Sequence, residues 1–265
     1  GLSSGSAYVF VKSPGGWVDM SQTAKLTASD GAASDFFGAS VSISGEVAVI
    51  GAAQGDGNVA DSGSAYVFME PVGGWVNMTQ TAKLTASDGA ASDFLGASAS
   101  ISGDVLVIGA RNDDDNGFNS GSAYVFEKPL GGWVNMTQTS KHAALDGLAS
   151  DSFGISVSIS GDLVVVGDYF DDDNGSNSGS AYVYDLAGVD CNLNGLSDAC
   201  DIVLGISCDF NANLIPDECE LAATAGDISG PGGGPDGCVD AFDLGALLAA
   251  WCSVAGGNPC GTCSP

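Results

Sequence analysis

Two twelve-residue segments near the C-terminus carry oxygen-bearing side chains at the spacing of a calcium-binding loop. Such a loop takes side-chain oxygens from positions 1, 3, 5, 9 and 12, a carbonyl oxygen from position 7, and a glycine at position 6. In the first segment, which has the glycine, the candidate ligands are Asp190, Asn192, Asn194, Leu196, Asp198 and Asp201. In the second, which has leucine in its place, they are Asp209, Asn211, Asn213, Ile215, Asp217 and Glu220. Two copies in one register predict two Ca²⁺ sites, with solvated acidic turns as the alternative.

A third loop of this kind is interrupted by a Gly- and Pro-rich insertion at residues 230–235. Its candidate ligands are Asp227, Ser229, Asp236, Cys238, Asp240 and Asp243. Apolar residues then recur at helical spacing from Phe242 to Trp251. We therefore predict a third Ca²⁺ loop followed by one short helix, again with solvated turns as the alternative.

Acidic residues also cluster earlier in the chain, at a joint between predicted strands. Residues 113–116 and 171–174 both read Asp-Asp-Asp-Asn, and the candidate metal ligands among them are Asp113, Asp115, Asp171 and Asp173. In an up-and-down sheet this joint lies at the same edge as the connection to the next sheet. Those connections carry Asp30, Asp35, Asp88, Asp93, Asp146 and Asp151. One acidic edge is expected, and the pattern fits a row of Ca²⁺ sites as well as a solvated rim of turn-forming residues.

The charge of the chain excludes two classes of partner. The formal net charge is -27, and the sequence has 33 acidic residues against six basic ones. Nucleic acids and anionic membrane surfaces are bound through clustered Lys and Arg, which this sequence lacks. The longest apolar helical run, residues 241–251, is too short to cross a bilayer. Cations are therefore the expected partners, and neither nucleic-acid binding nor membrane insertion is expected.

All eight cysteines lie between Cys191 and Cys263. An even number of cysteines in a short segment predicts a disulfide framework in an oxidising compartment. Zinc is the competing explanation, but the only histidine, His142, lies far from the cysteines, and no pair of CxxC motifs occurs. The segment is therefore expected to be disulfide-rich and the protein to be secreted or at the cell surface.

The elements that must position the earlier acidic loops come from a tandem repeat. The string SGSAYVF occupies residues 4–10, 62–68 and 120–126, and SGSAYVY occupies residues 178–184, so the period is 58 residues. A fixed period of this length indicates a repeat architecture. The chain opens inside a motif, which favours further repeats upstream.

Each period has the pattern of four β-strands and no helix. In one period the predicted strands are residues 36–42, 47–50, 65–69 and 75–85, separated by Gly- and Ser-rich turns. Four antiparallel strands per period are typical of a β-propeller blade. The array provides two, four, four and three strands, thirteen in place of the sixteen that four blades need. Missing upstream blades, irregular closure, and assembly of copies through open edges all remain open.

The repeats resemble the FG-GAP repeats of integrin-like β-propellers, in the form found in secreted bacterial proteins. The resemblance rests on Phe37-Gly38, on the strand that ends at Gly51-Ala52, and on the GSAYVF strand. Integrin-type repeats hold calcium between the first and second strands, whereas residues 44–46 form only a short turn here. The resemblance therefore implies the propeller fold but not the position of the family's calcium site.

The tail resembles two other calcium-binding modules. The first two loops are too close together for EF-hand helices, and they are similar to thrombospondin type 3 repeats, in which disulfides replace a hydrophobic core. The third loop and its helix resemble one half of a dockerin type I module. Dockerins carry two such halves and only one is visible here, which counts against a cohesin-like partner and leaves it only as an alternative. The predicted domains are an FG-GAP propeller segment (1–187), tandem calcium loops (188–222) and an EF-hand-like or dockerin-like half-module (223–265).

Other conspicuous side chains of the array are interpreted as packing residues. Trp17, Trp75 and Trp133 recur once per repeat, and His142 stands where the other repeats have Leu26 and Leu84. The alternative for the tryptophans is a lectin-like surface on which sugars stack.

We therefore predict a non-enzymatic calcium-binding protein that mediates adhesion, or contacts with an extracellular protein or polysaccharide, through one propeller face. The tail would be a calcium-stiffened anchor. No Ser/His/Asp or Cys/His set supports catalysis. The alternative is a non-catalytic fragment of a dockerin-bearing enzyme that degrades polysaccharides.

Overall fold

Fifteen β-strands and no helix make up residues 2–186, the part of the chain that the computed structural model describes. The strands are β1 (Ala7–Val9), β2 (Ala24–Thr27), β3 (Phe37–Ser44), β4 (Val47–Ala52), β5 (Ser64–Met69), β6 (Met78–Thr79), β7 (Ala82–Thr85), β8 (Leu95–Ser102), β9 (Val105–Ala110), β10 (Ser122–Glu127), β11 (Met136–Thr137), β12 (Ser140–His142), β13 (Phe153–Ser160), β14 (Leu163–Asp168) and β15 (Ser180–Asp185). No helix able to span a membrane occurs in this part of the chain. The predicted calcium loops, disulfides, half-module and short helix of the tail lie outside the described residues.

The strands form four sheets that follow the sequence repeat, and we number them blades 1 to 4. Blades 2 and 3 each have four antiparallel strands, in the orders β3-β4-β5-β7 and β8-β9-β10-β12. Blade 1 contains β1 and β2, and blade 4 contains β13, β14 and β15. The two-residue strands β6 and β11 add parallel pairs at the outer edges of blades 1 and 2. Within residues 2–186 the prediction of an all-β fold with sheets of four antiparallel strands is confirmed, and these sheets are consistent with propeller blades. Within residues 2–186 no strand pairing joins blade 1 to blade 4, so these residues alone do not close a propeller.

The fourth strand of the repeat is shorter than the sequence pattern predicts. Only Ala82–Thr85 of the predicted residues 75–85 pairs with β5. The preceding residues leave the sheet and cross to the neighbouring blade, where Oδ1 of Asn77 accepts a hydrogen bond of 2.8 Å from the backbone N–H of Lys25. Trp75 and Trp133 are buried, as the packing interpretation predicts, whereas Trp17 in blade 1 is exposed.

Burial of the second strand in each blade depends on the blades that flank it. All six residues of β4 are buried, as expected for an apolar strand covered on both faces. In blade 4 the equivalent strand, β14, alternates between exposed and buried residues. Val107 of blade 3 is fully buried, while its counterpart Val165 is 41% exposed. A following blade covers this face in blades 2 and 3, and none of the described residues does so in blade 4.

Neighbouring blades are joined through serine hydroxyls and bare glycine backbone. The hydroxyl of Ser98 on β8 donates a hydrogen bond of 2.7 Å to the carbonyl oxygen of Gly154 in blade 4, and Ser40 does the same for Gly96 at 2.8 Å. The blades approach so closely that a Cβ atom on Gly109 would lie 1.9 Å from the oxygen of Gly154. Glycine is therefore required at this contact.

Replacing Ser98 with alanine is expected to lower the free energy of unfolding by about 1–2 kcal/mol. The hydroxyl is buried, so its removal takes a hydrogen bond from a carbonyl that water cannot easily reach. Chemical denaturation of the purified chain measures the effect. The matched control is Ser40→Ala, where the same bond is only partly buried and water can replace it. Equal losses in the two variants would contradict the burial argument.

Candidate cation sites

Carboxylates gather at the edge of the stack where β9 is joined to β10 and where one blade is joined to the next. In blade 3, one oxygen each from Asp88, Asp113 and Asp115 lie within 4.8 Å of one another. Asp88 belongs to the connection between β7 and β8, and the other two belong to the joint between β9 and β10. The two kinds of acidic loop therefore meet at one edge, as predicted from the strand order.

A lysine already supplies positive charge to this cluster. Nζ of Lys141, on β12, lies 2.5 Å from Oδ2 of Asp115, 2.6 Å from Oδ2 of Asp88 and 3.1 Å from Oδ2 of Asp113. The hydroxyl of Tyr124 donates a hydrogen bond of 2.7 Å to Oδ2 of Asp113, and the centre of its ring lies 5.0 Å from Nζ of Lys141. We refer to these five residues as site 2. The ammonium group contacts all three carboxylates, as a metal ion bound among them would.

The electrostatics of site 2 keep its lysine and its tyrosine protonated. Burial lowers the pKa of Lys141, but hydrogen bonds to Asp115 and Asp88 and the charge of Asp113 outweigh it, so that this pKa lies well above its ordinary value. Partial burial raises the pKa of Asp88, but its bond to Lys141 outweighs this and leaves the pKa below its usual range. Burial, followed by the hydrogen bond to Asp113, raises the pKa of Tyr124. At neutral pH site 2 is therefore a set of fixed ion pairs with an internal counterion.

Blade 2 carries a simpler version, which we call site 1 and which consists of Asp30, Tyr66 and Lys83. Nζ of Lys83 lies 2.6 Å from Oδ2 of Asp30 and donates a hydrogen bond of 2.5 Å to the carbonyl oxygen of Asp56. Residues 55–58 read Gly-Asp-Gly-Asn, so two of the three consecutive acids of blade 3 are glycines here. One lysine and one carboxylate form the ion pair of site 1.

Blade 4 has the acids of site 2 but no lysine. The hydroxyl of Tyr182 lies 2.8 Å from Oδ2 of Asp171 and 2.9 Å from Oδ1 of Asp146. Oδ1 of Asp171 accepts a hydrogen bond of 2.7 Å from the backbone N–H of Asp173. The last lysine or arginine in the whole sequence is Lys141, which is already bound in site 2. The acids of blade 4 therefore have no lysine or arginine of their own blade to balance their negative charge.

A further carboxylate, that of Asp168, lies in the interior of blade 4. Its position at the end of β14 corresponds to Ala52 and Ala110 in blades 2 and 3, which are buried alanines. Asp168 is 1% exposed, and neither of its carboxylate oxygens has a hydrogen-bond partner among the described residues. Burial, and then the charges of Asp151, Asp171 and Asp146, raise its pKa to about 7. We define site 3 as the group Asp146, Asp168, Asp171, Asp173 and Tyr182.

The charge states of the other acids in site 3 follow from their partners. The backbone N–H of Asp173 and the hydroxyl of Tyr182 lower the pKa of Asp171. The negative charges of Asp171 and Asp146 raise the pKa of Asp173. Repulsion between carboxylates thus dominates at Asp173, whereas at site 2 the lysine offsets it.

Another acid in each blade connection has a structural role. Oδ2 of Asp35, Asp93 and Asp151 accepts the backbone N–H of the residue three positions earlier, at 2.6, 2.6 and 2.5 Å. All three are buried, and each closes a tight turn before the first strand of its blade. Part of the acidic edge is therefore explained by hydrogen bonds within the turns, with no need for a bound ion.

The predicted metal ligands therefore have different outcomes. Asp113 and Asp115 lie together beside Asp88, where Lys141 is bound. Asp171 and Asp173 belong to one turn, and the described residues contain no close set of three carboxylates there. The predicted tail ligands, from Asp190 to Asp243, lie outside the described residues, so they stay predictions.

Sequence reasoning did not identify Lys141, Tyr124 or Asp168 as parts of these sites. Alignment of the repeats contains the signal for Asp168, because a charged residue replaces an alanine at one position of the 58-residue period. The role of Lys141 has no comparable signal in the sequence. Lysine stands at this position of the period in three repeats, at Lys25, Lys83 and Lys141, and a lysine on the exposed face of a strand would give the same pattern.

His142 on β12 is a packing residue, as predicted. Its ring lies 5.0 Å from the ring of Tyr184, and Nε2 lies 3.2 Å from the hydroxyl oxygen of Ser140. Burial lowers the pKa of His142 below its ordinary value. The histidine therefore takes up its proton more readily when the blade unfolds.

Replacing His142 with leucine, the residue of the other repeats, is expected to reduce the loss of stability in mild acid. A group with a lowered folded-state pKa destabilises the fold as the pH falls below its unfolded value of about 6.5. The variant should gain about 1 kcal/mol over the original chain near pH 5, with a smaller difference near pH 8. Thermal unfolding of both chains at the two pH values provides the test. Parallel losses of stability would contradict the assignment.

A family model described as the FG-GAP repeat matches residues 20–68, 78–126 and 136–184, more than half of the chain. No curated protein matches the chain. Among solved structures, the crystal structure of the computationally designed Ika4 protein aligns with 61% of this chain and 96% of its own, at 11% identity and a TM-score of 0.27.

Proposed function

Because the chain belongs to the FG-GAP repeat family, we propose that it is a secreted or cell-surface calcium-binding protein that mediates adhesion. Its partner would be an extracellular protein or polysaccharide, contacted through one edge of the blade stack. The observation that supports this proposal is the acidic edge, at which carboxylates from the blade connections and from the joints that follow the second strands recur in blades 2 to 4. Rigid strands that present carboxylates at a fixed repeat suit recognition through bound cations.

The described residues favour a binding role over catalysis. FG-GAP repeats are typically non-catalytic. The only histidine in the chain packs against Tyr184, and a hydrogen bond to Ser140 occupies its Nε2 atom. These contacts fit a packing role for His142 and do not pair it with a nucleophile and an orienting acid.

The tail would serve as an anchor whose stiffness depends on extracellular calcium. Its two tandem loops and its third loop carry the acidic spacing described above, with no Lys or Arg to neutralise them. Ion binding would offset the repulsion and order the loops, with disulfides fixing them. The dockerin-like character of residues 223–265 favours a second candidate, in which the chain is the non-catalytic part of a polysaccharide-degrading enzyme.

A calorimetric Ca²⁺ titration of the oxidised full chain tests the calcium part of this proposal. We expect at least two ions per chain at the sub-millimolar to millimolar affinities of extracellular modules, with a gain of ordered structure by circular dichroism. The double variant Asp190→Ala/Asp209→Ala, which removes the first ligand of each tandem loop, should bind two ions fewer. No binding at millimolar Ca²⁺ would contradict the proposal.

The adhesion part needs a separate measurement. The full chain should bind members of a panel of extracellular proteins and polysaccharides in Ca²⁺, and lose that binding in a chelator. A signal that is absent from the whole panel, or that a chelator leaves unchanged, would count against calcium-dependent adhesion.

A further inference from the structure

We propose that site 3 binds one divalent cation, with Ca²⁺ preferred, at the place where the preceding blades hold a lysine ammonium group. The inference rests on the proposed function, in that it adds a calcium site to a calcium-binding protein, but it concerns the blades and not the tail. Its ligands would be carboxylate oxygens of Asp146, Asp168, Asp171 and Asp173.

The first step of the argument is a comparison of equivalent positions in three blades. Each blade places a tyrosine hydroxyl beside an aspartate of the preceding connection, at Tyr66, Tyr124 and Tyr182. In blades 2 and 3 a lysine from the fourth strand fills the space next to that pair, at 2.6 Å from the aspartate in both cases. Blade 4 keeps the tyrosine and the aspartate, and the sequence after Lys141 has no lysine or arginine. The cation of the motif is therefore missing from blade 4, although its anions are retained.

The second step is the buried carboxylate of Asp168. It replaces the alanine of the other blades, so blade 4 gains an acid where it has lost a base. Its two oxygens are unpartnered among the described residues, and the charged groups that act on it are Asp151, Asp171 and Asp146, all negative. A buried carboxylate without a hydrogen bond or counterion is strongly unfavourable. An ion bound between Asp168 and its acidic neighbours would remove that cost.

The chemistry of the donors selects the kind of ion. Site 3 offers oxygen ligands only, from a connection, from the end of β14 and from the joint that follows it. Hard cations prefer such ligands, and Ca²⁺ accepts the irregular geometry of a flexible loop better than Mg²⁺ does. Asp173 is exposed, so its side chain can turn toward an ion held by the buried Asp168 and Asp171, while the hydroxyl of Tyr182 already holds Asp146 beside Asp171.

The test is the number of calcium ions bound per full-length chain, measured by equilibrium dialysis against ⁴⁵Ca²⁺. Asp168→Ala restores the residue of the other blades and should bind one ion fewer than the original chain, with the tail ions unchanged. Asp171→Asn, which keeps the shape of the turn, should show the same loss. The matched control is Asp162→Asn, which removes a carboxylate from the turn between β13 and β14 at the opposite edge and should bind the full number.

The outcomes separate this inference from the proposed function. Loss of one ion in both site 3 variants but not in the control would support the inference. An unchanged number in both variants would overturn it, even if the tail binds calcium. If the original chain binds no calcium at all, the inference and the calcium part of the proposed function both fail.

Discussion

Replacing Asp168 with alanine is expected to stabilise the blades when divalent cations are removed. The substitution eliminates a buried carboxylate that has only acidic neighbours, and it inserts the residue that blades 2 and 3 use at the same position. Burying an ionised group without a partner costs more than burying an unpaired neutral one, so we expect a gain of about 2–4 kcal/mol at pH 8. Chemical denaturation in the presence of a chelator measures it.

The reciprocal change provides the control for that prediction. Ala110→Asp places a carboxylate at the equivalent, fully buried position of blade 3, and it should destabilise the chain. Added Ca²⁺ should stabilise the original chain and leave Asp168→Ala unaffected apart from any contribution of the tail. A loss of stability in Asp168→Ala in the chelator would show that the carboxylate has a favourable partner.

Replacing Lys141 with methionine is expected to destabilise the chain in a chelator by about 2–4 kcal/mol, because it removes one partner of a partly buried charge network. Methionine keeps much of the length of the side chain but leaves Asp88, Asp113 and Asp115 without a counterion. The side chain of Asp113 is only 4% exposed, so water screens the remaining repulsion poorly. Calcium should then restore most of the loss, because the three carboxylates already lie within 4.8 Å of one another.

Lys83→Met is the matched control. Asp30, its partner, has a side chain that is 43% exposed, and blade 2 lacks the other two acids. An exposed pair contributes at most about 1 kcal/mol, so this variant should lose little stability and gain no calcium site. If Ca²⁺ fails to restore Lys141→Met, ammonium and metal are not interchangeable at site 2, and the argument for site 3 loses its basis.

The repeat made most of the fold predictable from the sequence. Alternating residues before Gly45 and the apolar run of β4 identified strands that the structure confirms, because burial on one or two faces imposes those patterns directly. The length of the fourth strand was overestimated, because the point where it leaves the sheet depends on a contact with another blade and not on its own residue pattern. Residues 75–81 have the composition of a strand, but the side chain of Asn77 bonds to another blade, and no local pattern encodes that contact.

The sequence by itself determined that the chain is a 58-residue tandem repeat of antiparallel β-strands and that acidic loops fall at one edge. Those properties follow from residue periodicity and strand direction, which are local. Only the tertiary structure decided which acids are already neutralised. Lys141 is 53 residues from Asp88 and 28 from Asp113, and they meet only because the blades stack and the strands pair in one register. The burial of Asp168 has the same origin, because a side chain at the end of a strand is enclosed by neighbouring strands and blades and not by its sequence neighbours.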